Sequence, residues 1–215
     1  MSKVALLAGS TGLIGGQLLE LLLKESLYGK VIAISRKPLS VKSPKLINLV
    51  CELRDLDKHR DQLKADDIFC CLGTTIKKAK SKEAFRAVDL DAPLLLAKIS
   101  KELDAQKFLL VSSLGANKNS GVFYNKVKSE VEEAIKSVEF YRLDILRPSL
   151  LLGPRQEERS GEDAAKFFYK VFGFLVPKKF KAIESATVAN VMLQLAGIQQ
   201  SGIFIHESDQ IRNFE

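Results

Sequence analysis

This 215-residue chain lacks the features of membrane and secreted proteins. No apolar run reaches the length of about 18 uncharged residues that a membrane-spanning helix requires. The N-terminus has no charged start followed by a long apolar stretch and a small-residue cleavage site, so it does not match a secretory signal peptide. These absences predict a cytoplasmic protein with no membrane partner.

Cysteine is also scarce. The three cysteines, Cys51, Cys70 and Cys71, cannot all pair with one another. Cys70 and Cys71 are adjacent in a segment that reads as a strand, so their side chains point to opposite faces. This arrangement suits neither a disulfide framework nor a zinc site, and we expect reduced core residues and no metal.

Arginine-rich tracts, internal repeats and low-complexity segments are absent. The formal charge is +7, but acidic residues are interspersed along the chain, so nucleic acid is not an expected partner. One local basic cluster is formed by Lys77, Lys78, Lys80, Lys82 and Arg86. We expect it to be a solvated loop and helix face, with a collar for an anionic substrate as the alternative.

The start of the chain reads as a strand, a tight turn and a helix. Residues 4–8 form a short apolar run, and leucines recur at helical spacing over residues 18–23. Glycines at a three-residue spacing lie between them, where a missing Cβ lets backbone N–H groups approach a pyrophosphate at the helix N-terminus. The stretch therefore predicts a dinucleotide site formed by Gly9, Ser10, Thr11, Gly12, Leu13, Ile14 and Gly15.

Strand-like and helix-like segments alternate through the chain, which predicts an α/β fold with a doubly wound parallel sheet. Strands are predicted at residues 4–8, 30–34, 46–50, 67–72, 107–111, 141–146 and 202–206. Helices are predicted at residues 57–63, 81–103, 124–136, 164–172 and 188–198. With 46% hydrophobic residues the chain can bury one core, so we expect a single domain over residues 1–215. Within it, residues 150–201 would form a small C-terminal cap around the substrate.

The end of the second strand predicts the type of cofactor. Folds of this class that bind NAD place an acidic residue there, whereas this chain has Ser35, Arg36 and Lys37. A guanidinium can bind the 2′-phosphate of NADP through paired hydrogen bonds, so NADP (NADPH) is favoured and NAD is less favoured. A plain surface pair of cations is the alternative. Asp55, after the third strand, is either an adenine contact or an exposed loop acid.

Candidate catalytic residues follow the fifth strand. Tyr124 and Lys128 lie four residues apart, so they share one helix face. An ammonium beside a phenol stabilises the phenolate, and such a pair can transfer a proton. Ser112 and Ser113 lie at the carboxyl edge of the sheet, where either hydroxyl could polarise a substrate carbonyl. The strand register that decides between them is left open.

Together these residues resemble the atypical, NAD(P)-binding short-chain dehydrogenases/reductases. The order of the glycines, the serine pair and Tyr124-x-x-x-Lys128 follows that family over the first two-thirds of the chain. More narrowly, three stretches look like the Tat-interacting oxidoreductase-like proteins: Phe69-Cys-Cys-Leu-Gly-Thr-Thr75, Val127-Lys-Ser-Glu-Val-Glu132, and Arg147-Pro148 with Arg155-Gln-Glu157. The resemblance implies a Rossmann fold.

The resemblance also implies further cofactor contacts. NADPH would lie against the glycine turn and Arg36, with Leu72 and Gly73 beside the adenosine. The loop that carries Pro148, Leu150 and Leu151 would lie near the nicotinamide, and Arg155 would be an additional cofactor or substrate contact.

Two functions remain. In the first, the protein is a reductase that transfers hydride from NADPH to a small carbonyl substrate. Tyr124 would protonate the carbonyl oxygen, Lys128 would hold the ribose, and Ser112 or Ser113 would orient the substrate. In the second, NADPH stabilises one conformer of a redox sensor that a protein partner recognises. The complete set of Ser, Tyr and Lys favours the enzyme. Whether the chain is a monomer or a homodimer is left open.

Overall fold

The computed structural model describes residues 2–153 and 178–214. Its strands are β1 (Lys3–Ala8), β2 (Tyr28–Ser35), β3 (Leu46–Val50), β4 (Asp67–Cys70), β5 (Lys107–Val111), β6 (Arg142–Arg147), β7 (Leu151–Leu152), β8 (Ile183–Glu184) and β9 (Gly202–Glu207). Seven of them form one sheet in the order β3-β2-β1-β4-β5-β6-β9, and every pairing in it is parallel. The two short strands β7 and β8 pair separately.

Helices connect the strands on both sides of this sheet. They are α1 (Leu13–Lys24), α2 (Ile76–Ala79), α3 (Lys82–Arg86), α4 (Ala92–Glu102), α5 (Phe123–Lys136), α6 (Ser185–Gly197) and α7 (Ser208–Arg212). A π-helical turn, Ala87–Asp91, joins α3 to α4, and 3-10 helices occupy Leu53–Gln62 and Lys178–Phe180. No helix of the described ranges is long and apolar enough to cross a membrane.

The sheet is buried on both faces because alternate side chains of a strand enter opposite layers. On β1, Leu6 and Ala8 belong to the hydrophobic cluster beneath α4 and α5. Ala5 and Leu7 belong to the other cluster, beneath α1 and α6. The prediction of a doubly wound parallel sheet is therefore confirmed, and the architecture is Rossmann-like.

Glycine is required at two positions of the turn that joins β1 to α1. Gly9 has a φ of +89°, and a Cβ there would lie 2.5 Å from the carbonyl oxygen of Cys71, which follows β4. A Cβ on Gly15 would lie 2.8 Å from the carbonyl carbon of Gly9. These contacts bring the start of α1 against the sheet, beside the end of β4.

All seven strands predicted from the sequence are present, with ends that differ by two residues at most. The long helix predicted over residues 81–103 contains the π-helical turn, and the short helix predicted at 57–63 begins at Leu53. Five short elements were not predicted, because runs of two to five residues carry too little periodicity: α2, α7, β7, β8 and the 3-10 helix Lys178–Phe180. The helix predicted at residues 164–172 lies outside the described residues.

The segment predicted as a cap, residues 150–201, is described at 150–153 and 178–201. Its helix α6 packs beside α1, and buried residues such as Val188 and Met192 belong to the same cluster as Leu18 and Leu22. This part of the segment lies in the helical layer on one face of the sheet, because its apolar side chains cover that face.

The three cysteines are free thiols. Burial raises the pKa of Cys70 to about 11, and it also raises the pKa of Cys51 and Cys71. Thiols with raised pKa values stay neutral and are poor nucleophiles at neutral pH. Cys51 and Cys70 are buried core residues, as expected, whereas Cys71 is half-buried.

The two adjacent glycines of α1 provide a test of the turn. Gly15→Ala should lower the free energy of unfolding by about 2 to 3 kcal/mol, the scale of an overpacked site, because its Cβ would overlap the backbone of Gly9. Gly16→Ala is the matched control, since its Cβ would lie 3.6 Å from the Ser10 carbonyl oxygen, an ordinary contact. The control should be neutral or stabilising by up to about 1 kcal/mol. Urea unfolding measures both, and equal values would contradict the close approach.

Candidate functional site

A cleft with a volume of about 920 Å³ opens at the carboxyl ends of β1, β2, β3 and β4. In doubly wound sheets this edge is where ligands bind. The cleft is lined by Gly9, Thr11, Gly12, Ile34, Ser35, Arg36, Cys51, Glu52, Leu53, Arg54, Cys71, Leu72, Gly73, Thr74, Lys78, Ala87, Val88, Asp91, Ala92 and Leu95. Its size suits an extended ligand such as a dinucleotide.

The glycine turn forms one wall of the cleft. Gly12 is the N-cap of α1, no side chain caps the first turn, and a Cβ there would meet only the Gly9 carbonyl oxygen, at 3.2 Å. The free N-terminus of α1 thus borders the cleft, where a helix favours an anion. Of the predicted turn residues, Gly9, Thr11 and Gly12 line the cleft. Ser10 is buried and donates a hydrogen bond to the carbonyl oxygen of Ile34.

The remaining predicted turn residues do not line the cleft. Leu13 is half-buried, and Ile14 packs in the hydrophobic cluster beneath α1. Gly15 provides the close approach of α1 to the turn. These three residues therefore pack behind the turn and do not face the cleft.

Arg36 lines the second wall, at the end of β2, and its loop is fixed by Asn48. The Asn48 amide donates hydrogen bonds to the Ala33 carbonyl oxygen (3.0 Å) and the Ser35 hydroxyl (2.8 Å), while its oxygen accepts one from the Leu39 backbone N–H (2.8 Å). The Ser35 hydroxyl in turn donates to the Lys37 carbonyl oxygen. Asn48 was missed from the sequence, where its only signal is a polar residue within the apolar strand β3.

Lys37 is exposed and does not line the cleft, although it was predicted beside Arg36. Across the cleft, Arg54 contributes to the lining and Asp55 does not. The Asp55 carboxylate pairs with Lys58 at 2.6 Å, and this hydrogen bond is the main cause that lowers the pKa of Asp55. Arg54 therefore lies at the position predicted for Asp55, and it was not predicted from the sequence.

Lys128 lies behind Gly73 and forms a buried ion pair. Its Nζ is 2.7 Å from Oδ1 of Asp89, and the two side chains are 5% and 0% exposed. Burial is the largest single effect and opposes the charged ammonium, but the Asp89 carboxylate and Tyr124 together favour it, so the pKa of Lys128 is raised. A Cβ added to Gly73, which lines the cleft, would lie 3.7 Å from Lys128 Nζ. The ammonium therefore borders the cleft.

Asp89 comes from the π-helical turn between α3 and α4. Its second carboxylate oxygen accepts a hydrogen bond of 2.8 Å from the Thr74 backbone N–H, in the loop that follows β4. The same carboxylate thus holds Lys128 and the cleft-lining residue Thr74. Asp89 was not among the residues predicted from the sequence.

The Tyr124 ring lies between Phe85 and the lysine. Its centroid is 5.6 Å from that of Phe85, with the rings tilted at 58°, and Lys128 Nζ is 5.9 Å from the Tyr124 centroid. Tyr124 is half-buried. The helical spacing thus brings the two side chains together, as the sequence predicts.

The two candidate serines have different surroundings. Ser112 is buried, and its hydroxyl donates a hydrogen bond to the Glu132 carboxylate of α5. Glu132 also accepts two hydrogen bonds from Arg147, at 3.0 Å and 2.5 Å, and these bonds are the main cause that raises the pKa of Arg147. Ser113 is half-buried and has no such carboxylate partner within the described residues. The register therefore turns Ser112 into the interior and leaves Ser113 at the sheet edge.

The loop predicted near the nicotinamide begins directly after β6. Pro148 is buried, and its carbonyl oxygen accepts a hydrogen bond from the Leu114 N–H, which joins this loop to the serine loop. Leu150 is exposed and Leu151 is half-buried in β7. Arg155 lies outside the described residues.

Part of the basic cluster has partners on neighbouring helices. Arg86 pairs with Glu130 at 2.7 Å, and Lys82 lies over the Phe123 ring. Lys78 lines the cleft. In residues 2–153 and 178–214, no group of three or more His, Cys, Asp or Glu side chains could hold a metal ion.

Comparisons with known proteins identify the family of this chain. A family model described as NAD(P)H-binding matches residues 9–197. HTATIP2 of Rattus norvegicus is 37% identical over 172 residues, which cover 78% of this chain and 71% of that protein. The mitochondrial protein FMP52 of Debaryomyces hansenii is 35% identical over 202 residues, which cover 89% of this chain and 87% of that protein.

Solved structures resemble this chain in fold. The enzyme WbmH of Bordetella bronchiseptica in complex with NAD+ superposes with a TM-score of 0.74 and 15% identity, covering 97% of this chain and 76% of that chain. MoeE5 in complex with UDP-glucose and NAD gives a TM-score of 0.73 and 16% identity, covering 94% and 74%.

The different surroundings of the serines predict different effects on stability. Ser112→Ala removes a buried hydrogen bond to a carboxylate and should lower the free energy of unfolding by about 1.5 to 3 kcal/mol. Ser113→Ala should change it by less than about 0.5 kcal/mol, since Ser113 is half-buried without such a bond. Chemical denaturation of both variants measures the difference. An equal loss in the two proteins would show that the register has been read wrongly.

Proposed function

Because this chain belongs to the NAD(P)H-binding family, among the relatives of HTATIP2 and FMP52, we propose that it is an NADPH-dependent reductase of small carbonyl compounds. Its resemblance to the atypical short-chain dehydrogenases/reductases is confirmed by these relatives. One observation carries the proposal: the Lys128 ammonium, with Tyr124 beside it, borders the cleft at Gly73. We assign proton transfer to these two side chains.

The residues of the cleft fit the cofactor. The uncapped N-terminus of α1 at Gly12 suits the pyrophosphate, because a Cβ-free position lets the phosphate approach the helix N–H groups. Arg36, on the loop fixed by Asn48, suits a 2′-phosphate, and Arg54 adds a second cation to the cleft. The same end of β2 offers no acidic residue that would repel that phosphate.

NADPH supplies the hydride when it is bound. The Tyr124 hydroxyl donates its proton to the carbonyl oxygen as the carbon receives the hydride, so the product is an alcohol. Lys128, beside Gly73, would hold the ribose hydroxyls, and Ser113 would orient the substrate carbonyl. We assign this last role to Ser113 because Ser112 is bound to Glu132.

The second candidate function is a redox sensor that binds NADPH without turnover. The observation in its favour is that Lys128 is already paired with Asp89, so the lysine has a structural role as well. A protein partner, the monomeric or dimeric state and a cytoplasmic location all stay predictions. The FMP52 relative is named as mitochondrial, which makes cell fractionation a useful measurement.

The cofactor preference is tested at Arg36. The unmodified protein should bind NADPH more tightly than NADH, and Arg36→Ala should weaken NADPH binding by about 1.5 to 3 kcal/mol, the value of a hydrogen bond to a charged group. NADH affinity should change little. The control is Lys42→Ala, which removes an exposed cation from the same β2–β3 connection. Calorimetric titration measures the affinity for both cofactors. Equal affinities for NADPH and NADH in the unmodified protein would refute the preference for NADPH.

The proton donor is tested at Tyr124. Tyr124→Phe should lower turnover by roughly 100-fold or more, the scale of general acid catalysis, while NADPH affinity changes little. Tyr141→Phe, at an exposed position before β6, is the control and should keep full activity. NADPH oxidation is followed over a panel of aldehydes, ketones and quinones. Full activity in Tyr124→Phe would remove Tyr124 from the mechanism, and no turnover in the unmodified protein would favour the sensor.

A further inference from the structure

The buried Lys128 ammonium has more hydrogen-bond donors than the described residues use. Its side chain is 5% exposed, and its one ion-pair partner in the described part of the chain is Asp89 Oδ1, at 2.7 Å. Its other contact there is the Tyr124 ring, whose centroid lies 5.9 Å from Nζ. An ammonium carries three N–H donors, and buried donors are normally satisfied. The donors that Asp89 does not take therefore call for an acceptor from a ligand.

Gly73 lies between this ammonium and the cleft. It lines the cleft, and a Cβ at this position would lie 3.6 Å from Asp89 Oδ1 and 3.7 Å from Lys128 Nζ. Apart from the chain neighbours of Gly73, no other heavy atom of the described residues lies within 4 Å of that Cβ position. The missing side chain thus leaves space directly in front of the ion pair.

Neither backbone conformation nor packing requires glycine at position 73. Among the described glycines, the positive φ values belong to Gly9, Gly153 and Gly202 and not to Gly73. The two distances from its Cβ position are ordinary van der Waals contacts, in contrast to the overlaps at Gly9 and Gly15. An alanine would therefore fit the protein itself. What it would fill is the space through which a ligand could reach Lys128.

Asp89 holds this arrangement in place. One of its oxygens pairs with Lys128, and the other accepts a hydrogen bond of 2.8 Å from the Thr74 backbone N–H. Asp89 is 1% exposed, so a buried carboxylate joins the ammonium to the residue that follows Gly73. The loop and the lysine are therefore held in register with each other.

We propose that Gly73 is the access point of Lys128: its missing side chain lets a ligand in the cleft reach the ammonium, and Asp89 keeps the two residues aligned. Asp89 already balances the charge of Lys128, and an anion at this point would also face the Asp89 carboxylate. The ligand group is therefore an uncharged oxygen acceptor, such as a hydroxyl of a sugar. That this hydroxyl belongs to the ribose of NADPH rests on the proposed function, whereas access through Gly73 does not.

The first test needs no cofactor. In Gly73→Ala the Lys128 ammonium protons should exchange with water several-fold more slowly, because the methyl group covers them. NMR of protein with nitrogen-labelled lysine measures this exchange, and the Lys128 signal is assigned by its absence in the double variant Asp89→Asn with Lys128→Met. Gly197→Ala is the control, since its Cβ would meet nothing within 4 Å and Gly197 does not line the cleft. An unchanged exchange rate in Gly73→Ala overturns the access role.

Urea unfolding of the same variants separates access from packing. Gly73→Ala should unfold at the same urea concentration as the unmodified protein, because its Cβ makes only ordinary contacts. A clear loss of stability would show that the glycine serves packing and would overturn the proposal.

The second test measures NADPH affinity by calorimetry in two backgrounds. Gly73→Ala should weaken binding by roughly tenfold or more, the value of a hydrogen bond to a charged group. The double variant Asp89→Asn with Lys128→Met has no ammonium to reach, and a neutral pair of similar volume generally folds well. In that background Gly73→Ala should weaken NADPH binding no further.

The outcomes keep this proposal apart from the proposed function. Equal weakening in both backgrounds would mean that the new methyl group meets the cofactor itself, and it would overturn the access role, as would unchanged affinity in Gly73→Ala. Slower ammonium exchange in a protein that binds no NADPH would support access to Lys128 and reject NADPH as the ligand.

Discussion

The close approach of α1 to the end of β4 is the constraint on which the rest of the structure depends. The Gly9 carbonyl, the Cys71 carbonyl and the start of α1 occupy space that side chains at Gly9 and Gly15 would need. Because the backbone atoms pack this tightly, the N-terminus of α1 lies directly at the edge of the sheet. The cleft exists because this edge holds a helix end on one side and the Gly73–Thr74 loop on the other.

The inner face of α5 is organised by charge as well as by apolar packing. Tyr124, Lys128 and Glu132 follow one another at four-residue intervals, and the last two are each paired with an opposite charge from another element. Asp89 holds the lysine, and Arg147 holds the glutamate. Buried ion pairs of this kind contribute little net stability compared with apolar residues of similar size, but breaking one costs several kcal/mol, roughly 3 to 5. They therefore fix where α5 sits against the π-helical turn and β6, and with it the position of Tyr124.

The sequence was sufficient for the fold because hydrophobic periodicity and glycine placement act locally. The strands and the longer helices follow directly from apolar runs, and the pairing of Tyr124 with Lys128 follows from helical spacing. The choice between Ser112 and Ser113 was not accessible, because it depends on which face of the strand end meets Glu132, a residue far along the chain. Asn48 was missed for a similar reason: its three hydrogen bonds join β2, β3 and the loop between them. Asp89 could not be placed because helical periodicity is counted in α-turns, and the π-helical turn changes that count.

That wide turn has a consequence for how the chain can vary. A π-helical turn accommodates one more residue than an α-helical turn while the helix on either side keeps its packing face. Residues Ala87–Asp91 are therefore a point at which the helix can gain or lose one residue, and α4 can stay seated against the sheet. The number of residues in the π-helical turn then determines whether a carboxylate lies beside Lys128. A change of one residue here would therefore alter the partner of Lys128 without altering the sheet.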